Sequence, residues 1–520
     1  MNSYRCYAIL VTSCLFITIF CAPAGLSAQV KTIDRQEDVV TVTGDAFPLF
    51  DQVPINELFL FAFDSTSATF RMIPFQIDER DTANNFVFPD SVDQVPGFDA
   101  NDELVFMASD AGDRSVRWLD DESSKQFPRY EIVLSDTLDK SSIKNAWVYL
   151  YRSTTLAPDQ STDYVQYVPS PTADTAQDTV LGYDSAGNEN YKVAGEKEGF
   201  FGFLSIRGQA GQNLYDREKI RGTTNSFLFP SFSEEAGFEF RNVEVIDGPV
   251  RVIRRLTLSL LGFVDAPIPF QYFRNAAVVG GTLNIESLPL GIKITSLRHS
   301  IDLSDQAAGM TFSNPVNSAV VIDGMADPGV DRQVELAPAV NWMQVTGSQG
   351  TIVSIFQVPE IGQQQQLYYK DDAQTVDDND TGDKLSYGDA GILITGENIL
   401  GEFTIALKTF FYGPNQPTSV AEQLAALEAN PLQVEAVAQD FQTVPVELVS
   451  FTSSVERNDV HLLWVTAIEV DNQGFQIERR QSGSKAWERI GFVKSRTSSA
   501  GVTEYEYIDR GLLPGRYEYP

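Results

Sequence analysis

Cysteine and histidine are nearly absent from this 520-residue sequence. The three cysteines are Cys6, Cys14 and Cys21, and the two histidines are His299 and His461. Beyond residue 21 the chain therefore has no disulfide, thiol nucleophile or cysteine-ligated metal. Two histidines so far apart also exclude a histidine-rich zinc site and give no basis for a serine triad.

Basic residues are scarce as well. Lysine and arginine number 38 against 71 aspartates and glutamates, and the formal net charge is −33. No basic block offsets this charge, so the sequence disfavours binding to nucleic acid or to anionic lipid surfaces. A strongly acidic surface indicates solubility, or cation binding outside the cell.

The N-terminus has the pattern of a secretory signal peptide over residues 1–28. Arg5 precedes an apolar run from Ala8 to Ala22, and small residues follow up to Ala28. Cleavage after Ala24 is the alternative. The run is too short to cross a membrane, so we expect no membrane span in the mature chain. These features predict a protein that is secreted or held on the outer cell surface.

The remaining sequence predicts an all-β fold of tandem antiparallel sandwiches. Short β-branched and aromatic runs alternate with turns rich in Asp, Asn, Gly and Pro, without intervening helical periodicity. The predicted strands are Val39–Thr43, Leu58–Phe63, Phe70–Ile77, Leu104–Ala108, Tyr130–Leu134, Ala146–Tyr151, Val250–Leu261, Gly281–Ile285, Ile292–Leu303, Val316–Ile322, Thr351–Val358 and Ile392–Phe411.

One short helix is predicted at 419–429. Ser419 and Glu422 have the spacing of a capping box, Val420 and Leu424 share an apolar face with Leu427, and a proline at 431 ends the pattern. The chain then divides into an N-terminal sandwich (29–169), a large central sandwich (170–432), a linker (433–443) and a C-terminal module (444–520).

The C-terminal module carries three recognisable segments, Val444-Pro-Val-Glu-Leu448, Trp464-Val-Thr-Ala-Ile-Glu469 and Gly474-Phe-Gln-Ile-Glu-Arg479. It resembles the fibronectin type III-like modules near the C-termini of proteins exported by the bacterial type IX secretion pathway. The resemblance implies an immunoglobulin-like sandwich and contact with that secretion machinery. The final strand and sorting tail of such modules do not follow, so we expect an incomplete module with an unpaired sheet edge.

Two acidic segments of the N-terminal sandwich resemble motifs of secreted bacterial β-sandwich proteins associated with glycan breakdown. They are Ile73-Pro-Phe-Gln-Ile-Asp-Glu-Arg-Asp81 and Gly97-Phe-Asp-Ala-Asn-Asp-Glu-Leu-Val-Phe-Met107. Oxygen ligands gathered on loops suit Ca²⁺, and Asp99, Asn101 and Asp102 are candidate ligands. The alternative is that these residues cap turns. Ile73–Gln76 recurs as Ile268–Gln271, but the flanking residues differ, so no internal repeat is predicted.

The central region loosely resembles the supersandwich of mutarotase-like and polysaccharide-lyase proteins. The segments that carry the resemblance are 247–255, 297–303 and 380–389. A lyase needs a base near the sugar C5 proton and a positive group for the developing anion. Arg298, His299 and Tyr387 are the candidate catalytic residues, although neighbouring residues on a strand face opposite ways. A surface or core role is the alternative for each.

A second acidic run, 370–383, is the more specific metal candidate. Asp377, Asn379, Thr381 and Gly382 match calcium-loop positions, but Gly388 replaces the bidentate glutamate, which excludes an EF-hand. A less regular Ca²⁺ site is predicted from Asp377, Asp378, Asn379, Asp380 and Asp383. A solvated hairpin tip is the alternative.

Two functions remain open at this stage. The first is a noncatalytic binding or structural role towards extracellular glycan or other extracellular material. The second is an enzyme that acts on polysaccharide, either a lyase or a glycoside hydrolase. A concave site that gathers Arg298 or His299 with tyrosine and carboxylates would favour the enzyme.

Overall fold

The structure is a computed structural model of the whole chain. It describes residues 6–9, 29–89, 91, 93–159, 161–169, 185–195, 201–206, 212–236, 238–260, 264–285, 291–330, 334, 335, 337, 341–357, 364–378, 380–399, 401–441, 447–468, 474–484, 486–496 and 503–519. Antiparallel sheets dominate this part of the chain, so the predicted all-β class is confirmed.

The strands of the first third are β1 (Cys6–Ile9), β2 (Val39–Thr43), β3 (Leu58–Asp64), β4 (Thr69–Met72), β5 (Phe75–Asp78), β6 (Glu103–Met107), β7 (Arg129–Asp136) and β8 (Lys144–Arg152). The next strands are β9 (Gln166–Val168), β10 (Ser185–Gly187), β11 (Tyr191–Gly195), β12 (Phe201–Ile206), β13 (Tyr215–Thr224), β14 (Ser231–Ser233), β15 (Phe238–Asp247), β16 (Val252–Leu260), β17 (Val264–Tyr272), β18 (Ala276–Ile285) and β19 (Ile294–Leu303).

The last third contains β20 (Thr311–Ser313), β21 (Val320–Val321), β22 (Val334–Glu335), β23 (Trp342–Gly347), β24 (Gly350–Phe356), β25 (Gln364–Asp372), β26 (Ser386–Thr395), β27 (Gly401–Tyr412), α1 (Ser419–Glu428), β28 (Gln433–Gln439), β29 (Glu447–Glu456), β30 (Asp459–Ile468), β31 (Gly474–Gln481), β32 (Glu488–Lys494), β33 (Thr503–Asp509) and β34 (Arg516–Tyr519). Short 3-10 helices lie at Gly44–Ala46, Pro48–Phe50, Ile55–Glu57, Ala108–Asp110, Ser124–Gln126 and Asp305–Ala307.

The N-terminal sandwich packs a three-stranded sheet, β2-β6-β5, against a five-stranded sheet, β28-β7-β8-β3-β4. Alternate residues of β3 and β8 point to opposite faces. Leu60 and Val148 enter the core between the two sheets, whereas Phe61 and Tyr149 enter an aromatic cluster on the outer face of the five-stranded sheet. Both faces of these strands are therefore buried, which explains their unbroken apolar runs.

The segment 433–443, predicted as a linker, lies mostly in that sheet. Its strand β28 pairs with β7 from Gln433 opposite Ser135 to Gln439 opposite Arg129. Val434 and Val437 in β28 favour an extended chain, and the edge of β7 supplies backbone partners. The chain thus returns to the N-terminal sandwich before the C-terminal module begins.

The central region is built from a six-stranded sheet, β14-β13-β19-β26-β25-β22, and a nine-stranded sheet, β15-β16-β17-β18-β27-β24-β23-β20-β21. Side chains of both sheets, such as Leu303 and Ile392 from the first and Ile352 and Leu407 from the second, form one hydrophobic core. A four-stranded sheet, β12-β11-β10-β9, adds Tyr191 to the same core.

Three predicted strands differ from the observed ones. Phe70–Ile77 is divided into β4 and β5 at Pro74, which has no N–H for the ladder. Ile392–Phe411 is divided into β26 and β27 by a turn that contains Gly396. In Val316–Ile322 only β21 has strand structure.

Helix α1 forms close to the predicted position. Ala421 and Leu424 are buried against Trp342 and Phe410 of the nine-stranded sheet, as part of one apolar cluster. The predicted capping box does not form, because Thr418 is the N-cap residue and its side chain makes no capping hydrogen bond. None of the helices in the described part of the chain has the length and hydropathy to cross a membrane.

The C-terminal module has two sheets, β29-β30-β33 and β1-β34-β31-β32, around a core that contains Trp464, Tyr505 and Ile477. Strand β34 pairs with β31 on one side and with β1 on the other, so the expected unpaired edge is occupied. Strand β1 is the described part of the predicted signal peptide, and removal of residues 1–28 would free that edge.

Arg35 joins the N-terminal sandwich to the end of α1. Its side chain is fully buried and forms a bidentate pair with Asp136, with donor–acceptor distances of 2.8 and 2.9 Å. It also donates to the carbonyl of Asn430 at 2.9 Å and to that of Leu427 at 3.4 Å. A cation at the C-terminal end of a helix is favourable because the helix dipole is negative there.

We therefore expect Arg35→Met to destabilise the N-terminal sandwich by about 3–5 kcal/mol, because it leaves a buried carboxylate without its partner. Denaturant-dependent hydrogen exchange in peptides from β7 and β8 measures this change. Lys140→Met, at an exposed site of the same domain, is the control. Equal exchange in the two variants would contradict the assigned role.

Candidate functional site

The catalytic candidates Arg298 and His299 lie on opposite faces of the six-stranded sheet, as their adjacency on β19 predicts. His299 faces the core between the sheets, where its Nε2 lies 2.5 Å from Oε1 of the buried Glu218. It lines a cavity of about 30 Å³ together with apolar residues such as Met343 and Leu407. This volume suits a water molecule and excludes a sugar.

Arg298 belongs to a polar cluster on the outer face of the same sheet. Its Nη1 donates to the hydroxyl of Tyr368 at 2.8 Å, and the guanidinium carbon lies 4.5 Å from the centre of that ring. Its Nη2 lies 3.6 Å from Asp389 and 3.9 Å from Asp380. We call Lys219, Arg221, Arg298, Asp302, Asp380 and Asp389 the ionic cluster.

Lys219 is the centre of the ionic cluster and has a fully buried side chain. Its Nζ lies 2.6 Å from Asp302 and 3.2 Å from Asp380, and it donates to the carbonyl of Leu385 at 2.9 Å. Burial lowers the pKa of Lys219, but the charges of Asp389, Asp302 and Asp380 outweigh this effect and hold the pKa above its ordinary value. Lys219 is therefore a permanent cation in the fold.

For the acidic groups Asp302 and Tyr368, burial raises the pKa rather than lowering it. Burial raises the pKa of Asp302 well above its ordinary value, and the negative charge of Asp389 adds to this shift. Burial also raises the pKa of Tyr368. Tyr368 therefore remains a neutral phenol that accepts the hydrogen bond of Arg298, while Asp302 lies 2.6 Å from the ammonium group of Lys219.

The loop between β25 and β26 covers the ionic cluster. Asp380 points inward and forms ion pairs with Lys219 and Arg221. Thr381 donates to Glu234, and the amide of Gly382 donates to Glu235 at 2.9 Å. The side chains under this loop are nearly excluded from solvent, so access to them requires that the loop open.

Tyr387, the third catalytic candidate, does not join Arg298 or His299. Its ring packs near Gly324, where an added Cβ would lie 2.7 Å from Cε2 of the ring. Its backbone amide donates to Asp302 at 2.7 Å. The three candidates therefore occupy three separate environments.

The structure also separates the predicted ligands of the acidic run. Asp377 pairs with Lys370 at 3.6 Å and Asp378 with Lys384 at 3.3 Å, while Asp380 is turned into the ionic cluster. Asn379 lies outside the described residues. Asp383 instead approaches two carboxylates from other strands, Asp216 and Asp302.

The N-terminal motif residues form an interface rather than an open site. Arg251 donates from Nε to Asp78 at 2.8 Å, and its Nη2 lies 2.5 Å from Glu103. Its backbone amide donates to Oε1 of Gln76 at 2.8 Å, and its Nη1 donates to Gln271 at 3.0 Å. The two Ile-Pro-Phe-Gln segments thus meet at Arg251, which binds the N-terminal sandwich to the central region.

Asp99, Asn101 and Asp102, the other metal candidates, fix local turns. Asp102 accepts hydrogen bonds from the amides of Arg80 at 2.8 Å and Asp99 at 2.9 Å. Asn101 donates to the carbonyl of Asp81 at 2.8 Å. Burial raises the pKa of Asp102 to about 6. These contacts support the turn-capping alternative for this segment.

A feature outside the predicted sites is the turn between β13 and β14, which we call the aromatic tip (Phe227, Leu228 and Phe229). Their side chains are 96%, 72% and 40% exposed. The amides of Leu228 and Phe229 donate to Oγ of Ser226 at 3.2 and 3.3 Å, and the amide of Thr224 donates to the carbonyl of Pro230 at 2.9 Å. The tip is therefore an ordered turn that displays apolar side chains to solvent.

No family model matches this sequence, and no curated protein matches it. Among solved structures, an α-mannosidase from Enterococcus faecalis V583 aligns with a TM-score of 0.41 and 12% identity over 87% of this chain and 51% of its own. A protein of glycosyl hydrolase family 38 from Enterococcus faecalis aligns with a TM-score of 0.41 and 11% identity over 85% and 52%.

An α-N-acetylgalactosaminidase, NagBb from Bifidobacterium bifidum in complex with GalNAc, aligns with a TM-score of 0.33 and 10% identity over 47% of this chain and 39% of its own. This chain thus spans about half the length of the two Enterococcus structures. Likeness at this level assigns neither a family nor a reaction.

The Arg251 contacts predict that the two large sandwiches unfold together. Arg251→Met leaves Asp78 and Glu103 without their partner, so we expect a loss of about 3–5 kcal/mol and a split of one calorimetric transition into two. Arg510→Met, at an exposed arginine of the C-terminal module, is the control. A single, unshifted transition in Arg251→Met would contradict the assigned role.

Proposed function

We propose that this chain is an extracellular protein that binds neutral carbohydrate through the aromatic tip. The observation that carries the proposal is the nearly complete exposure of Phe227 on a hydrogen-bonded turn. Aromatic rings contribute large apolar contact areas, and the apolar faces of sugar rings can stack on them. A run of three exposed apolar residues is uncommon on a soluble surface unless it serves binding.

The order of the tip supports binding because little conformational freedom remains to be lost. Asn225 anchors it to the neighbouring strand region, since its amide donates to the carbonyl of Lys293 at 3.0 Å and its Oδ1 accepts from the amide of Lys293 at 2.7 Å. A preorganised surface pays a smaller entropic cost on association.

The residues around the tip are uncharged and rich in hydroxyl groups. Thr223 Oγ1 lies 2.9 Å from Oγ1 of Thr295 and 2.6 Å from Oγ of Ser296, so a row of hydroxyls flanks the tip. Lys293 is the one charged residue in the segments 222–231 and 291–296. With a net charge of −33, the protein repels anionic polymers at long range, which favours a neutral glycan.

Export to the cell exterior is part of the proposal. The signal-peptide pattern of residues 1–28 supports secretion, and the resemblance of residues 444–520 to type IX cargo modules supports contact with that secretion machinery. A surface protein of this kind presents its sandwiches to extracellular polysaccharide.

The proposal predicts retention of the purified protein by neutral polysaccharides. Affinity electrophoresis in gels that contain β-glucan, xylan or mannan should show retardation in at least one gel, and less in alginate. Phe227→Ala should weaken binding by about tenfold, which corresponds to 1.4 kcal/mol, and should leave stability unchanged because the side chain is exposed.

Phe492→Ala is the matched control, since Phe492 is a half-exposed phenylalanine of the C-terminal module. It should bind as the unchanged protein does. The proposal fails if no neutral glycan retards the protein, or if Phe227→Ala and the unchanged protein migrate alike.

A second candidate function is a carbohydrate-active enzyme, either a polysaccharide lyase or a glycoside hydrolase. The observation that favours it is the contact of Arg298 with the Tyr368 hydroxyl beside the carboxyl groups of Asp389 and Asp302. A phenol, a guanidinium and buried carboxyl groups supply proton transfer and charge stabilisation. The loop between β25 and β26 would have to open to admit substrate.

This second function predicts cleavage of a plant or algal polysaccharide. Released reducing ends report a hydrolase, and ultraviolet absorbance of unsaturated uronic products reports a lyase. Tyr368→Phe should lower the rate by about 10²-fold or more if the hydroxyl transfers a proton, with Tyr507→Phe, on β33 of the C-terminal module, as the control. Equal rates in the two variants would exclude this role for Tyr368.

A further inference from the structure

Three carboxylates from separate segments meet at one end of the six-stranded sheet. Asp216 comes from β13, Asp302 from β19 and Asp383 from the loop between β25 and β26. One oxygen of each lies within 4.8 Å of an oxygen of the other two. Calcium binds oxygen at 2.3–2.6 Å, so two of its ligands lie at most about 5.2 Å apart, and the three oxygens fit around one ion.

A fourth carboxylate lies beside Asp302 and makes no hydrogen bond within the described residues. Asp389 is fully buried, and neither of its oxygens has a hydrogen-bond partner there. In the ladder of β19 and β26, Ile301 pairs with Ala390, so the next residues, Asp302 and Asp389, project onto the same opposite face. The charge of Asp389 is met by Arg298 at 3.6 Å and by Lys219, but its oxygens lack the hydrogen bonds that a buried carboxylate usually accepts.

The sum of the charges around the three carboxylates suits a divalent cation. Asp380 adds to the four carboxylates of Asp216, Asp302, Asp383 and Asp389, whereas the basic side chains among them are those of Lys219, Arg221 and Arg298. Two negative charges therefore remain in excess. Burial raises the pKa of Asp216 and the nearby Arg217 opposes this shift, but the charge of Arg217 is balanced by Glu235 at 2.6 Å, so this pair leaves the count unchanged.

Asp302 retains coordinating capacity despite its partners. Its Oδ2 lies 2.6 Å from Nζ of Lys219, and its Oδ1 accepts from the amide of Tyr387 at 2.7 Å. Each carboxylate oxygen has two lone pairs, so one remains on each atom. The close ammonium group weakens cation binding, and the excess negative charge opposes that effect.

We propose that Asp216, Asp302 and Asp383 bind a Ca²⁺ ion, and that the negative charge of Asp389, beside Asp302, adds to the attraction for the ion. An all-oxygen ligand set without histidine or cysteine suits calcium. The ion would tie the loop between β25 and β26 to two strands and keep the ionic cluster closed. The site does not involve the aromatic tip, so the outcome of its test is independent of the carbohydrate-binding proposal.

Calorimetric titration of the EDTA-treated full chain with CaCl₂ tests the site, together with thermal unfolding. We expect a saturable heat of one ion per chain and a higher unfolding temperature with Ca²⁺. Asp216→Asn and Asp383→Asn should each weaken binding by about tenfold or more. These two are chosen because Asp302 is buried against Lys219, and its replacement would disturb folding.

Asp378→Asn is the matched control, because Asp378 lies in the same loop, is exposed and pairs with Lys384. It should bind Ca²⁺ as the unchanged chain does. The proposal is overturned if the folded chain gives no saturable heat, or if Asp216→Asn and Asp383→Asn bind as tightly as the control. Equal weakening in all three variants would also overturn it, because that pattern reports diffuse acidic attraction.

Discussion

Compensation of charges buried between β-sheets is the constraint on which this structure depends. A chain with almost twice as many acidic as basic residues has few cations to distribute, and it places several of them in the interior. Arg251 joins the two large sandwiches, Arg35 fixes the end of α1, and Lys219 holds the loop between β25 and β26. Each lies between carboxylates from separate segments, so each orders more chain than a surface pair would.

The need to compensate buried charge explains where the acidic sequence motifs of the N-terminal sandwich lie in the fold. The acidic segments around Gln76, Asp78 and Glu103 have the composition of a metal or sugar site, yet in the fold they surround a guanidinium. Gly248 belongs to the same contact, because an added Cβ would lie 2.4 Å from Oε1 of Gln76. A motif that looks catalytic in sequence can therefore serve assembly.

The all-β class and most strands were predictable because alternation and turn residues are local signals. The opposite orientations of Arg298 and His299 followed from strand geometry alone. The pairing of β28 with β7 was not predictable, since it joins segments about 300 residues apart in sequence. Lys219 gave no local signal either, because its importance comes from Asp302 and Asp380 in distant segments. The aromatic tip had a local signal, an apolar run between Thr-Asn-Ser and Pro-Ser, but neither a strand nor a site was predicted there.

The proposed recognition site, an ordered apolar turn, is separate from the buried ionic cluster of the central region. Hydrogen exchange with and without a soluble neutral oligosaccharide tests this separation most directly. We expect protection in peptides that cover 222–231 and no change in 365–391. Protection confined to 365–391 would contradict it, because the ligand would then occupy the site beneath the loop and the aromatic tip would have no part in binding.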